Sequence, residues 1–117
     1  MNKIKVAQFG LGFIGIEALK LAATKSWVEI VGGIDMDPDK IGKPLAGITG
    51  DPAIRNASVH RSLDELLAKV KPDVIFHTAV SKVSAAFSQV EPMVRRGINV
   101  VSSCEELLSP QLREPAL

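Results

Sequence analysis

Several features of secreted, membrane-bound and metal-binding proteins are missing from this sequence. One cysteine, Cys104, stands among 117 residues, so no disulfide can form within the chain, and a reducing cytoplasm is the expected location. No run approaches the roughly 20 apolar residues that a membrane-spanning helix needs. The basic start of the chain leads into Gln8 and Gly10 rather than into the apolar core of a signal peptide. No histidine or cysteine cluster has metal-ligand spacing, so no metal site is expected.

The sequence also lacks an excess of charge of one sign. The chain has 14 basic and 13 acidic residues mixed along its length, and its net charge is +1. That balance argues against nucleic acid or an anionic membrane as the main partner. With 46% hydrophobic residues, the composition is that of an ordinary globular protein, and the length suits one domain.

Short strand-like runs alternate with helical patterns along the chain. Strands are predicted at residues 4–9, 28–34, 57–60, 74–78 and 99–103. The continuous apolar runs in the last two suit strands that are covered on both faces. Strands that alternate with helices predict an α/β fold with a parallel sheet of about five strands.

Four helices are predicted between and after these strands. The first begins just after Gly12 and buries a face made of Ile14, Ala18, Leu21 and Ala22. The second begins at a capping box in which Ser62 and Glu65 satisfy each other's free amides. Its buried stripe is Leu63, Leu66, Leu67 and Val70, and Pro72 ends it.

The third helix lies within residues 83–96 and ends at Gly97. Pro92 falls inside this span, so the helix is either kinked or starts late, and the sequence leaves both alternatives open. A fourth helix is predicted to begin at Ser103, where the capping-box spacing recurs.

The stretch from Asp37 to Asp51 is the least regular. Asp37 and Pro38 are predicted to cap a short helical turn, and the glycines after them indicate a loop. The chain stops shortly after the fifth strand pattern, without a sixth. A doubly wound domain normally continues to a second half, so residues 1–117 are predicted to form one domain truncated before a second one.

A glycine motif indicates which kind of ligand this fold binds. Gly10, Gly12 and Gly15 read G-x-G-x-x-G, directly after a strand pattern and at the start of an amphipathic helix. The first glycine allows a tight turn, the second lets a pyrophosphate approach the backbone, and the third lets the helix pack closely on the sheet. The free amides and positive dipole end of the helix would bind the phosphates. The motif therefore predicts a Rossmann-type doubly wound sheet that binds a dinucleotide; a glycine-rich turn without a ligand is the alternative.

Asp35 supplies the second half of the fingerprint. It ends the second strand pattern, where a carboxylate would accept hydrogen bonds from the adenosine ribose hydroxyls and repel a 2′-phosphate. NAD is therefore favoured, with NADP as a second option. Lys40 is within reach of a 2′-phosphate, but we interpret it as a solvated lysine on a loop.

The ends of the fourth and fifth strands are expected to face the nicotinamide. Ligands of open α/β sheets lie beyond the carboxyl ends of the strands, and small or hydroxyl side chains occupy those ends here. His77 is interpreted as a structural or cofactor-contacting residue rather than a general base, because the sequence places no acid beside it. Cys104 is interpreted as a small residue near a helix cap.

The residues Val6-Ala7-Gln8-Phe9-Gly10-Leu11-Gly12 and Gly33-Ile34-Asp35-Met36-Asp37-Pro38-Asp39-Lys40-Ile41-Gly42 resemble the dihydrodipicolinate reductase superfamily. Within it, the stretch Gly97-Ile98-Asn99-Val100-Val101-Ser102-Ser103-Cys104-Glu105-Glu106-Leu107 looks most like the 2,4-diaminopentanoate dehydrogenase group. The resemblance covers essentially the whole chain, but only the N-terminal third or so of such proteins.

This resemblance implies an NAD(P)-dependent oxidoreductase that acts on an amino acid or a cyclic imine derived from one. The substrate domain of such enzymes lies outside this chain, so the chain alone is expected to be inactive and no catalytic residue is assigned. Cofactor contacts carried over from the family are Gly10, Gly12, Phe13, Ile14 and Gly15 at the pyrophosphate, with Asp35 and Met36 at the adenosine end. By position, Thr78, Ala79, Ser102 and Ser103 would line the nicotinamide end.

Two other classes of function remain open from the sequence. One is a non-catalytic nucleotide-binding or redox-sensing module, and the other is a short α/β scaffold that binds no nucleotide. Self-association into a homo-oligomer, through apolar surface left by a missing half, is left open as well.

Overall fold

The computed structural model describes residues 3–78 and 83–102. Within these ranges strands and helices alternate, which confirms the predicted α/β organisation. In chain order the elements are β1 (Ile4–Phe9), α1 (Phe13–Ala23), β2 (Val28–Ile34), α2 (Leu45–Thr49), β3 (Val59–His60), α3 (Leu63–Leu67), β4 (Val74–His77), α4 (Val83–Arg95) and β5 (Asn99–Ser102). The predicted helix that begins at Ser103 lies outside the described residues.

The strands form one parallel sheet in the order β3-β2-β1-β4-β5. This is the order of the first five strands of the doubly wound nucleotide-binding sheet, so the Rossmann-type fold predicted from the sequence is confirmed. The chain proceeds outward from β1 through β2 to β3 and then returns to the other side of β1 for β4. The strand order therefore reverses between β1 and β4, which is where ligands of such sheets bind, beyond the carboxyl ends of the strands.

Two apolar cores cover the two faces of the sheet. Successive side chains of β1 alternate between them, as the two-residue period of a strand requires: Val6 belongs to the first core, and Ala7 and Phe9 to the second. The first core also contains Leu11 and, from α1, Leu19, and the second contains Leu66 of α3. By the same alternation, the fully buried Gln8 faces the α1 side of the sheet.

Helix α1 begins after Gly12 as predicted, but it is rotated relative to the predicted face. Its buried residues are Gly15, Leu19 and Ala22, whereas Ile14 and Leu21 are about two-thirds exposed, at 65% and 64%. The predicted buried face was therefore wrong for Ile14 and Leu21. The reason is that the helix approaches the sheet through the side that carries Gly15, and this contact turns its bulkier neighbours outward.

Helix α3 begins at Ser62 as predicted, where the Ser62 hydroxyl accepts a hydrogen bond from the Glu65 N–H at 3.2 Å. The Glu65 carboxylate instead accepts from the N–H of Arg61 at 2.9 Å, one residue before the cap, so the predicted reciprocal bond is wrong in its second half. The helix ends at Leu67, earlier than Pro72 suggested. Its predicted stripe does lie on the second core, with Leu66 buried and Leu63, Leu67 and Val70 partly buried.

The segment after β2 holds more regular structure than predicted. The Asp37 side chain caps a turn by accepting from the Asp39 N–H at 2.9 Å, as expected. The loop predicted beyond it contains the helix α2, which ends at Gly50 in the left-handed conformation, with a φ of 72°. Helix α4 begins at Val83 and contains Pro92, so the alternative of a late start is excluded.

A wide apolar groove of about 440 Å³ runs along the sheet beside α1. It is lined by residues of four strands, of α1 and of the segment between α1 and β2: Ile4, Val6, Ala18, Leu21, Ala22, Lys25, Trp27, Val28, Val74, Phe76 and Val101. Across residues 3–78 and 83–102, no helix is long and apolar enough to cross a membrane.

Candidate functional site

The turn between β1 and α1 forms the centre of the candidate site. Gly10 has a φ of 101°, a backbone conformation that residues with a Cβ rarely adopt. Its N–H donates to the Ile34 carbonyl at 2.8 Å, which ties the turn to the carboxyl end of β2. The chain therefore leaves β1 sharply and enters α1 above the edge of the sheet.

Gly15 is required by the close approach of α1 to this turn. A Cβ at residue 15 would lie 2.0 Å from the Gly10 carbonyl oxygen and 2.9 Å from the Thr78 hydroxyl oxygen. Both distances are well inside van der Waals contact, and the nearer atom belongs to the backbone, so it cannot simply rotate away. Only glycine permits this helix to pack where it does.

Gly12 has the opposite environment. A Cβ built on it meets nothing within 4 Å, and as the N-cap of α1 it provides no side-chain hydrogen bond. The first turn of α1 contains no acidic residue either. The N–H groups of a helix's first turn have no partner within the helix, and the helix dipole places partial positive charge there. The space beside Gly12 is thus open and electropositive, which suits a phosphate.

Two apolar side chains flank this opening. Phe13 is 81% exposed and Ile14 is 65% exposed, although both are large hydrophobic residues. The protein therefore leaves apolar surface exposed around the helix N-terminus, where a bound ligand could cover it.

Asp35 lies directly beside the glycine-rich turn. One of its carboxylate oxygens accepts from the Leu11 N–H at 2.8 Å, and the other accepts from the Asp37 N–H at 2.8 Å. An ionised carboxylate has about four acceptor positions, so these two bonds leave capacity for two ribose hydroxyls. Met36, the next residue, is 73% exposed. The structure thus brings the two halves of the predicted fingerprint together.

Lys40 was interpreted from the sequence as a solvated lysine on a loop. In the structure its side chain does not project into solvent. Its ammonium donates to the Leu11 carbonyl oxygen at 2.7 Å, and the residue is half-buried. The turn after β2 explains the difference, since the Lys40 N–H donates to the Asp37 carbonyl at 2.9 Å and folds this segment back toward the glycine-rich turn.

Gln8 is a component of the site that sequence reasoning missed. It is fully buried, and its amide NH₂ donates to the Gly10 carbonyl at 3.1 Å and to the Thr78 hydroxyl at 3.0 Å. The Thr78 hydroxyl also donates to the Gly10 carbonyl, at 3.2 Å. The Gln8 side-chain oxygen is buried and has no hydrogen-bond partner within the described part of the chain. A polar residue among the apolar residues Val6, Ala7 and Phe9, two positions before the first glycine, was the signal available in the sequence.

The ends of β4 and β5 lie side by side, with His77 in register with Ser102. Of the residues predicted to line the nicotinamide end, Thr78 lies next to Gly10, and only the backbone of Ser102 is described. Ala79 and Ser103 lie outside the described residues, as does Cys104. The assignment of this end therefore remains a prediction.

His77 is buried and is held in place by neighbouring side chains. It is fully buried, its Nε2 lies 2.6 Å from the side-chain oxygen of Gln89, and its ring lies 5.4 Å from that of Phe9. No group of three or more potential metal ligands occurs among residues 3–78 and 83–102.

No family model matches the chain. Over its whole length the chain is 30% identical to a 2,4-diaminopentanoate dehydrogenase from Acetoanaerobium sticklandii, in an alignment of 124 residues. The chain spans about one third of that relative's length, at 33%.

Solved structures give the same result. An amine dehydrogenase from Mycobacterium smegmatis superposes with a TM-score of 0.84 and 28% identity, covering 96% of this chain and 33% of that one. A dihydrodipicolinate reductase from a Paenisporosarcina species, solved with dipicolinate, gives a TM-score of 0.67 and 24% identity, covering 96% of this chain and 41% of that one. The sequence resemblance to 2,4-diaminopentanoate dehydrogenase is confirmed. The likeness to the dihydrodipicolinate reductase shows a shared fold.

Proposed function

We propose that this chain is the dinucleotide-binding domain of an NAD(P)-dependent oxidoreductase. The observation that carries the proposal is the open, uncapped N-terminus of α1 beside Gly12, with the Asp35 carboxylate bound to the adjacent Leu11 N–H. A phosphate-binding helix end and a ribose-binding carboxylate are the two parts of a dinucleotide site, and they lie together here.

Each part of the site would have its own task. The backbone N–H groups of the turn and of α1, from Gly10 to Gly15, would hold the pyrophosphate, and the space that a Cβ would fill at Gly12 admits it. Asp35 would accept hydrogen bonds from the adenosine ribose, and the exposed side chain of Met36 would pack against the adenine. Thr78, Ala79, Ser102 and Ser103 would line the nicotinamide end. The bound cofactor would supply the hydride chemistry, and the protein its orientation.

The substrate half of the proposal rests on the relatives. The 2,4-diaminopentanoate dehydrogenase and the amine dehydrogenase are both named for substrates that carry an amino group. We propose that the full-length protein transfers hydride between the nicotinamide and an amino acid or a cyclic imine derived from one. Residues 1–117 would be its cofactor domain, with the substrate domain elsewhere in the protein and the whole protein in the cytoplasm.

A calorimetric titration of this chain with NADH, and separately with NADPH, tests the cofactor site. We expect micromolar binding of NADH. Binding of neither dinucleotide would contradict the proposal and favour a scaffold that binds no nucleotide. The full-length protein would then be assayed for NAD(P)H oxidation with a panel of cyclic imines. Dinucleotide binding without turnover of any amine, amino acid or imine would favour a redox-sensing module instead.

A further inference from the structure

The Asp35 carboxylate and the Lys40 ammonium both bind the backbone of Leu11 in the glycine-rich turn. The Leu11 N–H donates to the Asp35 carboxylate at 2.8 Å, and the Leu11 carbonyl accepts from the Lys40 ammonium at 2.7 Å. The N and O atoms of a single residue lie roughly 3 Å apart. The ammonium is therefore held within roughly 9 Å of the carboxylate.

The Lys40 ammonium has capacity beyond this bond. It carries three donors, and the Leu11 carbonyl is its one hydrogen-bond acceptor among residues 3–78 and 83–102. Its flexible four-carbon stem allows the ammonium to reposition over several ångströms. The residue is half-buried, so its charge is screened less than that of a lysine in full solvent contact.

The Asp35 carboxylate is correspondingly less repulsive than a bare one. Each of its oxygens already accepts a backbone N–H bond, from Leu11 or from Asp37. These bonds offset part of its charge at the position where an adenosine ribose would sit. A 2′-phosphate on a ribose beside Asp35 would lie within reach of the flexible Lys40 side chain.

We propose that Lys40 determines how this domain treats the adenosine 2′ position, by supplying a cationic subsite for a 2′-phosphate beside Asp35. The proposal rests on the proposed function, since it assigns the specificity of the same site. Lys40 offsets the repulsion from Asp35, so the domain binds NADPH as well as NADH. In the absence of a 2′-phosphate, the ammonium stays on the Leu11 carbonyl.

The test compares Lys40→Met with Lys43→Met in the intact chain. Lys43 is an exposed lysine three residues further along, so the two variants change the net charge equally. Each is titrated with NADH and NADPH, and with AMP and adenosine 2′,5′-bisphosphate as probes of the adenosine end. We expect Lys40→Met to weaken NADPH and the bisphosphate about tenfold or more, as loss of one charge-assisted hydrogen bond implies. NADH and AMP should change less than about threefold, Lys43→Met should change none of the four, and Lys40→Arg should retain NADPH binding.

The outcomes separate the possible failures. Equal losses of NADH and NADPH in Lys40→Met would overturn the proposal and make Lys40 a residue that only holds the turn. NADH binding by the unmodified chain without NADPH binding would also overturn it, while the proposed function would stand. Binding of neither dinucleotide would refute both. Thermal melting of each variant shows whether it is folded. If Lys40→Met is unfolded, the test rests on Lys40→Arg. Loss of NADPH binding by a folded Lys40→Arg variant would refute the proposal.

Discussion

Gly12 and Gly15 belong to one motif, but the structure predicts opposite consequences for replacing them. An added Cβ at Gly12 meets nothing within 4 Å, and the residue's φ of −77° is open to any amino acid. Gly12→Asp should therefore fold, with a stability change of about 1 kcal/mol or less from the altered N-cap. The new carboxylate would stand where the pyrophosphate approaches, and we expect it to abolish measurable dinucleotide binding.

The size of the effect follows from electrostatics. Two like charges about 4 Å apart repel by about 1 kcal/mol in bulk water and about 4 kcal/mol at a protein surface with an effective dielectric constant of 20. A micromolar affinity for NADH would thus weaken by about five- to thousandfold for each phosphate charge, before any steric exclusion is counted. Gly15→Ala, by contrast, brings a methyl group within 2.0 Å of the Gly10 carbonyl oxygen. Overpacking of that kind costs about 1–3 kcal/mol or more in the free energy of unfolding.

Calorimetric titration with NADH, together with thermal melting, measures both effects. The matched control is Gly47→Asp, which adds the same charge in α2, where the nearest side-chain atom to a Cβ lies 3.9 Å away. The control should bind NADH like the unmodified chain. Retained affinity in a folded Gly12→Asp variant would refute the assignment of the pyrophosphate to this turn. An unchanged melting temperature in Gly15→Ala would refute the packing argument.

Further substitutions test other contacts. Asp35→Ala should weaken NADH much more than NADPH, because it removes a ribose acceptor and also the repulsion of a 2′-phosphate; equal losses in titration would mean that Asp35 does not touch the ribose. Gln8→Leu should change the free energy of unfolding by only about 1 kcal/mol, because removing a buried oxygen without a partner offsets the lost hydrogen bonds to Gly10 and Thr78. Gln8→Glu buries a charge against the same carbonyl and should cost about 3 kcal/mol or more, so similar urea midpoints for the two variants would contradict this account. Ser62→Ala should cost about 0.5–2 kcal/mol in urea unfolding, because the Glu65 N–H loses its cap; no change would mean that water replaces the cap.

The sheet was largely predictable because its signals are local. β1 and β2 have the predicted bounds, and the glycine motif marks both the turn and the start of α1. Strand bounds were less accurate where pairing is short. The strand predicted at residues 57–60 is reduced to Val59–His60, since Ser58 instead forms an isolated antiparallel bridge with Pro44.

The rotation of α1 could not be predicted from hydrophobic periodicity alone. That pattern places Ile14 and Leu21 inward, because they are the larger apolar residues. The decisive contact is made by Gly15, which has no side chain and therefore contributes nothing to an apolar stripe. The orientation of the helix depends on backbone proximity, which is a tertiary property.

The side-chain contacts around Leu11 were also beyond the reach of sequence reasoning. Lys40 and Leu11 are 29 positions apart, and their bond exists only because the Asp37 turn folds the intervening segment back. Helix α2 was missed for a related reason, since its five residues include Gly47, which indicates a loop when read locally. Both features follow from packing against the β1–α1 turn and the first core.

The apolar groove beside α1 contains an intrinsic fluorescent probe. Trp27 is its single tryptophan, lines the groove, and is about half exposed. It immediately precedes β2, whereas Asp35 immediately follows the same strand, so eight residue steps of about 3.3 Å separate the two residues by about 26 Å. The indole emission therefore reports directly on the polarity of the groove, with no introduced dye and no contact between the indole and the ribose-binding carboxylate. A blue shift on addition of another polypeptide would indicate that water has left the amino end of the sheet, while the opposite end stays accessible to nucleotide.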